Sequence, residues 1–122
     1  MAVKILVVDD LSDMRMLLGL TLRRNQWEVI EAEDGEQAIE LARAEQPQVI
    51  LMDYDMPNMN GLEACKRLVS DEVTAHIPVV IYTGYSASHV REDALSAGAT
   101  TFLIKPITPA RLREEIVNLL SR

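Results

Sequence analysis

The sequence predicts an α/β fold built on a parallel sheet, and three observations carry that reading. Five short apolar or β-branched runs alternate with five stretches of helical spacing. The runs Ile5–Val8, Val49–Met52 and Val79–Tyr82 are apolar throughout, as strands covered on both faces must be. Polar residues stand at the carboxyl ends of the first, third, fourth and fifth runs, where open α/β sheets bind their ligands.

The elements follow in order. Val3-Lys4-Ile5-Leu6-Val7-Val8 reads as the first strand and stops at Asp9-Asp10. Ser12 or Asp13 is expected to cap a helix whose inner face is Met14, Leu17, Leu18, Thr21 and Leu22. Trp27 to Ala32 alternates like a half-exposed edge strand, and Asp34-Gly35 opens a helix over Ala38, Ile39, Leu41 and Ala42 that Pro47 closes. After the third strand ends at Asp53, a loop with Pro57, Asn58, Asn60 and Gly61 leads to a helix over Leu62, Cys65, Leu68 and Val69. Pro78 precedes the fourth strand, which ends at Thr83-Gly84. Val90, Ala94 and Leu95 line a more polar helix that Gly98 terminates. Thr101-Phe102-Leu103-Ile104 is the last strand and ends at Lys105-Pro106. Pro109 starts a final helix with Leu112, Ile116, Leu119 and Leu120 inside.

Composition narrows the function. A chain of 122 residues, 48% apolar and 25% charged, is one globular domain, expected to span 1–122. Twelve basic against nineteen acidic residues give a net charge of −7, which argues against unaided nucleic-acid binding. No apolar run reaches the roughly 20 residues of a membrane helix, and the N-terminus lacks a signal peptide's apolar region. A single cysteine, Cys65, forms no internal disulfide, so a cytoplasmic, reducing location is expected.

The strand-end residues have a coherent chemistry. Asp9, Asp10 and Asp53, with Asp55 near, would repel one another unless a hard divalent cation joined them, and a small oxygen cluster with room for water and phosphate suits Mg²⁺. Lys105 offers a point charge to an anion and Thr83 a hydroxyl. Together they describe a phosphoryl-transfer site in which an aspartate can itself be the nucleophile. Any one of these residues alone would be an ordinary cap, turn or surface charge. Four coincident strand ends are not.

These motifs resemble the receiver domain of two-component response regulators, the family of the bacterial chemotaxis regulator. The resemblance rests on Val7-Val8-Asp9-Asp10, the run Asp53-Tyr54-Asp55-Met56-Pro57-Asn58-Met59-Asn60-Gly61, Thr83-Gly84, and Phe102-Leu103-Ile104-Lys105-Pro106, all in register. It extends from Lys4 to about Leu120. It implies a flavodoxin-like (βα)5 three-layer sandwich with strand order 2-1-3-4-5. By the resemblance, Asp53 is the phosphoacceptor, Asp10 a direct ligand of Mg²⁺ (or Mn²⁺) and Asp9 one acting through water. Asp55 supplies a backbone carbonyl to the metal, Thr83 and Phe102 are the switch hydroxyl and aromatic, and Lys105 holds the phosphate. The Lys105–Pro106 bond is expected to be cis.

The implied function is a phosphorelay switch. A histidine kinase or histidine phosphotransfer protein donates the phosphoryl group, and the surface of the fourth helix, fifth strand and fifth helix controls an effector or a homodimer. Such a domain catalyses only its own phosphorylation and dephosphorylation. Asp55 and the bulky Tyr85 depart from the commonest pattern beside the phosphoryl group. Ile107 stands where winged-helix regulators carry phenylalanine. The rival reading is an aspartyl-phosphate phosphohydrolase of the haloacid-dehalogenase kind, because Asp53-Tyr54-Asp55 mimics its nucleophile and acid pair. That pair normally follows the first strand, and here the order is reversed. A flavodoxin-like binding module is disfavoured because the first loop lacks a phosphate cradle. His76, His89, Cys65 and Trp27 read as surface or packing residues.

Overall fold

A computed structural model describes residues 2–84 and 88–121. Tyr85 lies outside the described residues. The elements run β1 (Lys4–Val8), α1 (Ser12–Arg24), β2 (Glu28–Ala32), α2 (Gly35–Glu45), β3 (Val49–Asp53), α3 (Gly61–Ser70), β4 (Val79–Thr83), α4 (Ser88–Ser96), β5 (Thr101–Ile104) and α5 (Pro109–Leu120). All strand pairs are parallel, in the order β2-β1-β3-β4-β5. β1, β3 and β4 are therefore interior strands. Their side chains are buried from Ile5 to Val8 and throughout β3 and β4, the pattern that produced the continuous apolar runs. β2 sits at an edge, and its burial is accordingly partial until Ala32.

Strand alternation divides the core into two layers. Leu6, Val8, Ile50, Met52, Val79 and Ile81 face α2, α3 and α4 through Ala38, Ala42, Cys65, Leu68 and Ala94. Ile5, Val7, Val49, Leu51, Val80, Tyr82 and Leu103 face α1 and α5 through Leu18, Leu22, Leu112 and Ile116. Cys65 belongs to the first layer, and burial pushes its thiol up to about 11, so it is packing. His76 and His89 are exposed, and Trp27 packs half-buried on the second layer.

Three caps agree with local chemistry. Asp34, Asn60 and Thr108 each accept a backbone N–H from three residues on. At α1 the expectation fails. Neither Ser12 nor Asp13 caps it; Leu11 holds the cap position, and leucine has no side-chain acceptor to offer, while its own N–H goes to Asp9 at 2.9 Å. The inner face of α1 also differs from expectation. Leu18 and Leu22 are buried in the cluster formed with the sheet and α5, whereas Leu17 lies outside it and is 62% exposed. Similarly Leu95 of α4 is 40% exposed while Val90 and Ala94 are buried. Gly98 ends α4 at a φ of 105°, where a Cβ would lie 2.9 Å from Val69 methyl carbons.

Neighbouring leucines of α1 should separate cleanly by urea unfolding. Leu18→Ala should cost about 2–4 kcal/mol, because it empties packed volume between α1 and the sheet. Leu17→Ala should stay within about 0.5 kcal/mol.

Candidate functional site

The alternation that builds the core also places the site. Val8 pairs with Met52, Asp53 with Tyr82, and Tyr82 with Leu103. The chain stays sheet-like one residue past β1, where the Asp9 N–H donates to the Ala32 carbonyl at 3.1 Å. The row beyond Val8 and Met52 therefore runs Asp9, Asp53, Tyr82, Leu103, all on the α1/α5 side. Lys105, two residues past Leu103, falls on that side again.

Carboxylate oxygens of Asp9, Asp10 and Asp53 lie within 4.8 Å of one another, with Asp9 and Asp53 buried and Asp10 exposed. Lys105 Nζ stands 3.4 Å from Asp53 Oδ1, which also accepts the Asp55 N–H at 3.4 Å. Asp9 takes donors on both oxygens: the Leu11 N–H on Oδ1 and the Tyr82 hydroxyl on Oδ2, at 2.6 Å. Arg15 fixes the same corner from α1, donating to the Asp9 carbonyl at 2.6 Å and to Glu31 at 3.1 Å.

Backbone shape lets the loop after β3 close over the site. The Gly61 N–H returns to the Tyr54 carbonyl at 2.9 Å, and a Cβ on Gly61 would stand 2.5 Å from the Asp53 carbonyl oxygen. Only glycine fits that approach. The Lys105–Pro106 bond is cis, as the resemblance implied.

The predicted residues thus fall into groups. Asp9, Asp10, Asp53 and Lys105 are brought together, and Asp55 touches Asp53 through its backbone while its side chain is exposed. Thr83 is buried at the end of β4, one residue past Tyr82 and on the opposite alternation. Phe102 is half-buried against the α3/α4 layer, in register with Ile81. Two residues escaped the sequence reading. Tyr82 passed as strand filler; its signal was an aromatic ring in an aliphatic run, in register with Asp53. Arg15 gave no local signal, because its partners lie across two loops.

The donor set fits a hard divalent cation: three carboxylates and no nitrogen or sulfur. An uncompensated cluster has a measurable consequence. Burial, then the Asp9 charge, push the Asp53 carboxyl up from 3.8 to about 6, against the opposing pull of Lys105. Burial and the bond to Asp9 keep the Tyr82 hydroxyl protonated.

Because folded Asp53 binds its proton more tightly than unfolded Asp53, its contribution to stability falls as pH rises from 3.8 to about 6. In chelator-treated buffer, Asp53→Asn should flatten that decline and exceed the wild type above pH 6 by on the order of 2 kcal/mol, allowing for solvent screening. Urea unfolding across pH 4–8 checks it.

Comparison with known proteins places this geometry. Residues 5–117 match the response regulator receiver domain. The chain is 39% identical over 115 residues to the chemotaxis protein CheY1 of Helicobacter pylori, covering 93% of each. It is also 39% identical over 119 residues to the response regulator PleD of Caulobacter vibrioides, spanning 98% of this chain but about a quarter (26%) of PleD. The structure of Vibrio cholerae CheY4 superposes with a TM-score of 0.92 at 28% identity, covering 98% of this chain and 99% of that one. The receiver domain of the Pseudomonas aeruginosa sensor histidine kinase PA1611, with a magnesium ion coordinated in its active-site cleft, gives 0.92 at 26% identity over the whole of both chains. Receiver domains are signalling domains that bind Mg²⁺ at an acidic pocket and interact with kinases and effectors. With the fold, the acidic rim and these likenesses in agreement, the chain belongs to the response regulator receiver domain family.

Proposed function

We propose that residues 1–122 act as one cytoplasmic phosphorelay receiver domain, with Asp53 as its phosphoacceptor. The observation that carries this reading is the setting of Asp53: a buried carboxylate at the end of a central strand, 3.4 Å from Lys105 and beside two further carboxylates. The strand order also weighs against the phosphohydrolase alternative, since β1 carries the acidic pair and Asp53 ends β3.

In the proposed reaction a carboxylate oxygen of Asp53 attacks the phosphorus of a phosphohistidine in line. The O–P bond forms, the P–N bond to the imidazole breaks, and the imidazole leaves with a proton from solvent. Mg²⁺ held by Asp10, Asp53 and the Asp55 carbonyl, and by Asp9 through water, would neutralise the oxygens of the transferring group. Lys105 already borders Asp53 Oδ1 and supplies fixed positive charge where negative charge accumulates. Its ammonium would pair with the acyl phosphate once formed.

Output follows from what borders the site. The new phosphoryl oxygens draw the Thr83 hydroxyl inward. Space under α4 then opens to Phe102, which packs half-buried in the layer containing Ala94 and Ala97. The α4–β5–α5 surface changes, and an effector or a second copy of the chain reads it. Two states a few kcal/mol apart suffice for such a switch.

Acetyl phosphate with Mg²⁺ should add one phosphoryl group by mass spectrometry, and Asp53→Asn should abolish it; retained labelling would refute the assignment. Thr83→Ala should still be labelled, but should lose most of the amide shift changes that beryllofluoride induces around residues 88–104. A full wild-type shift pattern in that variant would mean the hydroxyl does not carry the signal.

A further inference from the structure

We infer that Tyr82 is a positioning residue for this site, its hydroxyl holding Asp9 back from direct contact with the cation while its ring supports Lys105. The inference rests on the metal-assisted reading above. Its basis is a set of contacts that packing alone does not require. Tyr82 is fully buried, one of the largest such side chains in the chain, and phenylalanine would fill nearly the same volume. What the hydroxyl adds is a 2.6 Å bond to Asp9 Oδ2. A hydroxyl has one proton to give, and its other acceptor, the Val8 carbonyl, is farther at 3.4 Å and uncharged. The proton therefore goes to Asp9.

Register makes this reach specific. Tyr82 pairs with Asp53 on the adjacent strand, and its ring passes on the α1/α5 side to the strand beyond. The Lys105 ammonium stands 5.0 Å from the centre of the same ring and 3.4 Å from Asp53 Oδ1. One side chain thus bonds Asp9 and borders the lysine.

The consequence is a division of labour among the carboxylates. Asp9 has Leu11 N–H on one oxygen and the Tyr82 hydroxyl on the other, so the chain itself partly neutralises it. Each Asp9 oxygen keeps a second lone pair, but its charge is already drawn toward a donor. Swinging it into the cation's shell would stretch these bonds inside a buried site, where a lost hydrogen bond is costly. Asp10, exposed at the rim, has no such constraint. The hydroxyl therefore competes with the cation for the charge and orientation of Asp9, and its loss raises the cluster's affinity while letting Asp9 leave its position.

Calorimetric Mg²⁺ titration of wild type, Tyr82→Phe, Asp9→Asn and the double variant tests this. Tyr82→Phe should bind Mg²⁺ at least threefold more tightly, and the same change in the Asp9→Asn background should have no effect. Unchanged or weaker binding in Tyr82→Phe, or an equal gain without the Asp9 charge, overturns the inference. A measurement on the wild type covers the case in which Tyr82→Phe does not fold. The Tyr82 ring carbon bearing the hydroxyl should keep its NMR shift at saturating Mg²⁺, and a shift to the value of an unbonded phenol overturns the inference. None of these readouts needs phosphate. Failure of acetyl phosphate to label Asp53 in the wild type would instead refute the phosphoacceptor reading and leave the Tyr82 result standing.

Discussion

Two buried carboxylates, Asp9 and Asp53, stand on neighbouring strand ends, and their repulsion is the constraint around which this end of the molecule is arranged. Each is met by donors from a different element. Leu11 N–H and the Tyr82 hydroxyl serve Asp9, while Lys105 and the Asp55 N–H serve Asp53. The compensation is incomplete, since the Asp53 carboxyl remains pushed up to about 6. A site held in that condition is prepared for positive charge, because a cation removes a penalty that folding alone leaves in place.

Such a cluster is sustainable only on a rigid support. The three central strands are buried on both faces, and helices on each side fix their register. Slipping one strand by a residue would exchange its two faces and carry its functional side chain to the other layer. Precision at the site is thus a by-product of core packing. Arg15 ties the β1 end to Glu31, and Gly61 lets the β3 loop close on the Asp53 backbone. Neither needs to meet a substrate to matter.

The opposite alternation of Tyr82 and Thr83 divides β4 between two tasks. Tyr82 belongs with Asp9, Asp53 and Lys105 on the α1/α5 side. Thr83 ends the strand, and Phe102 lies against the α3/α4 layer. Adjacent residues of one strand thereby address the carboxylate cluster and the surface proposed to report on it.

How much of this was legible in the sequence follows from the range of each interaction. Strand and helix types were legible because burial on both faces leaves continuous apolar runs such as Val49–Met52, and turns leave Gly, Pro and Asn. The strand-end rule then gathered Asp9, Asp10, Asp53 and Lys105 without coordinates, since parallel strands deliver their carboxyl ends to one rim. Strand order, by contrast, came through the family's resemblance and is established by the pairing itself. Three features belong to tertiary structure alone. Helical spacing admits both Leu17 and Leu18 to one stripe, and only packing against the sheet and α5 decides which is buried. Ser12 and Asp13 have the chemistry of caps, but the helix begins after Leu11, whose N–H goes to Asp9 at a strand end that sequence spacing does not orient. Tyr82 looks like any strand aromatic until register brings its hydroxyl to a carboxylate 73 residues away. Local physics sets what each segment becomes; which side chains meet depends on distances that exist only once the segments are packed.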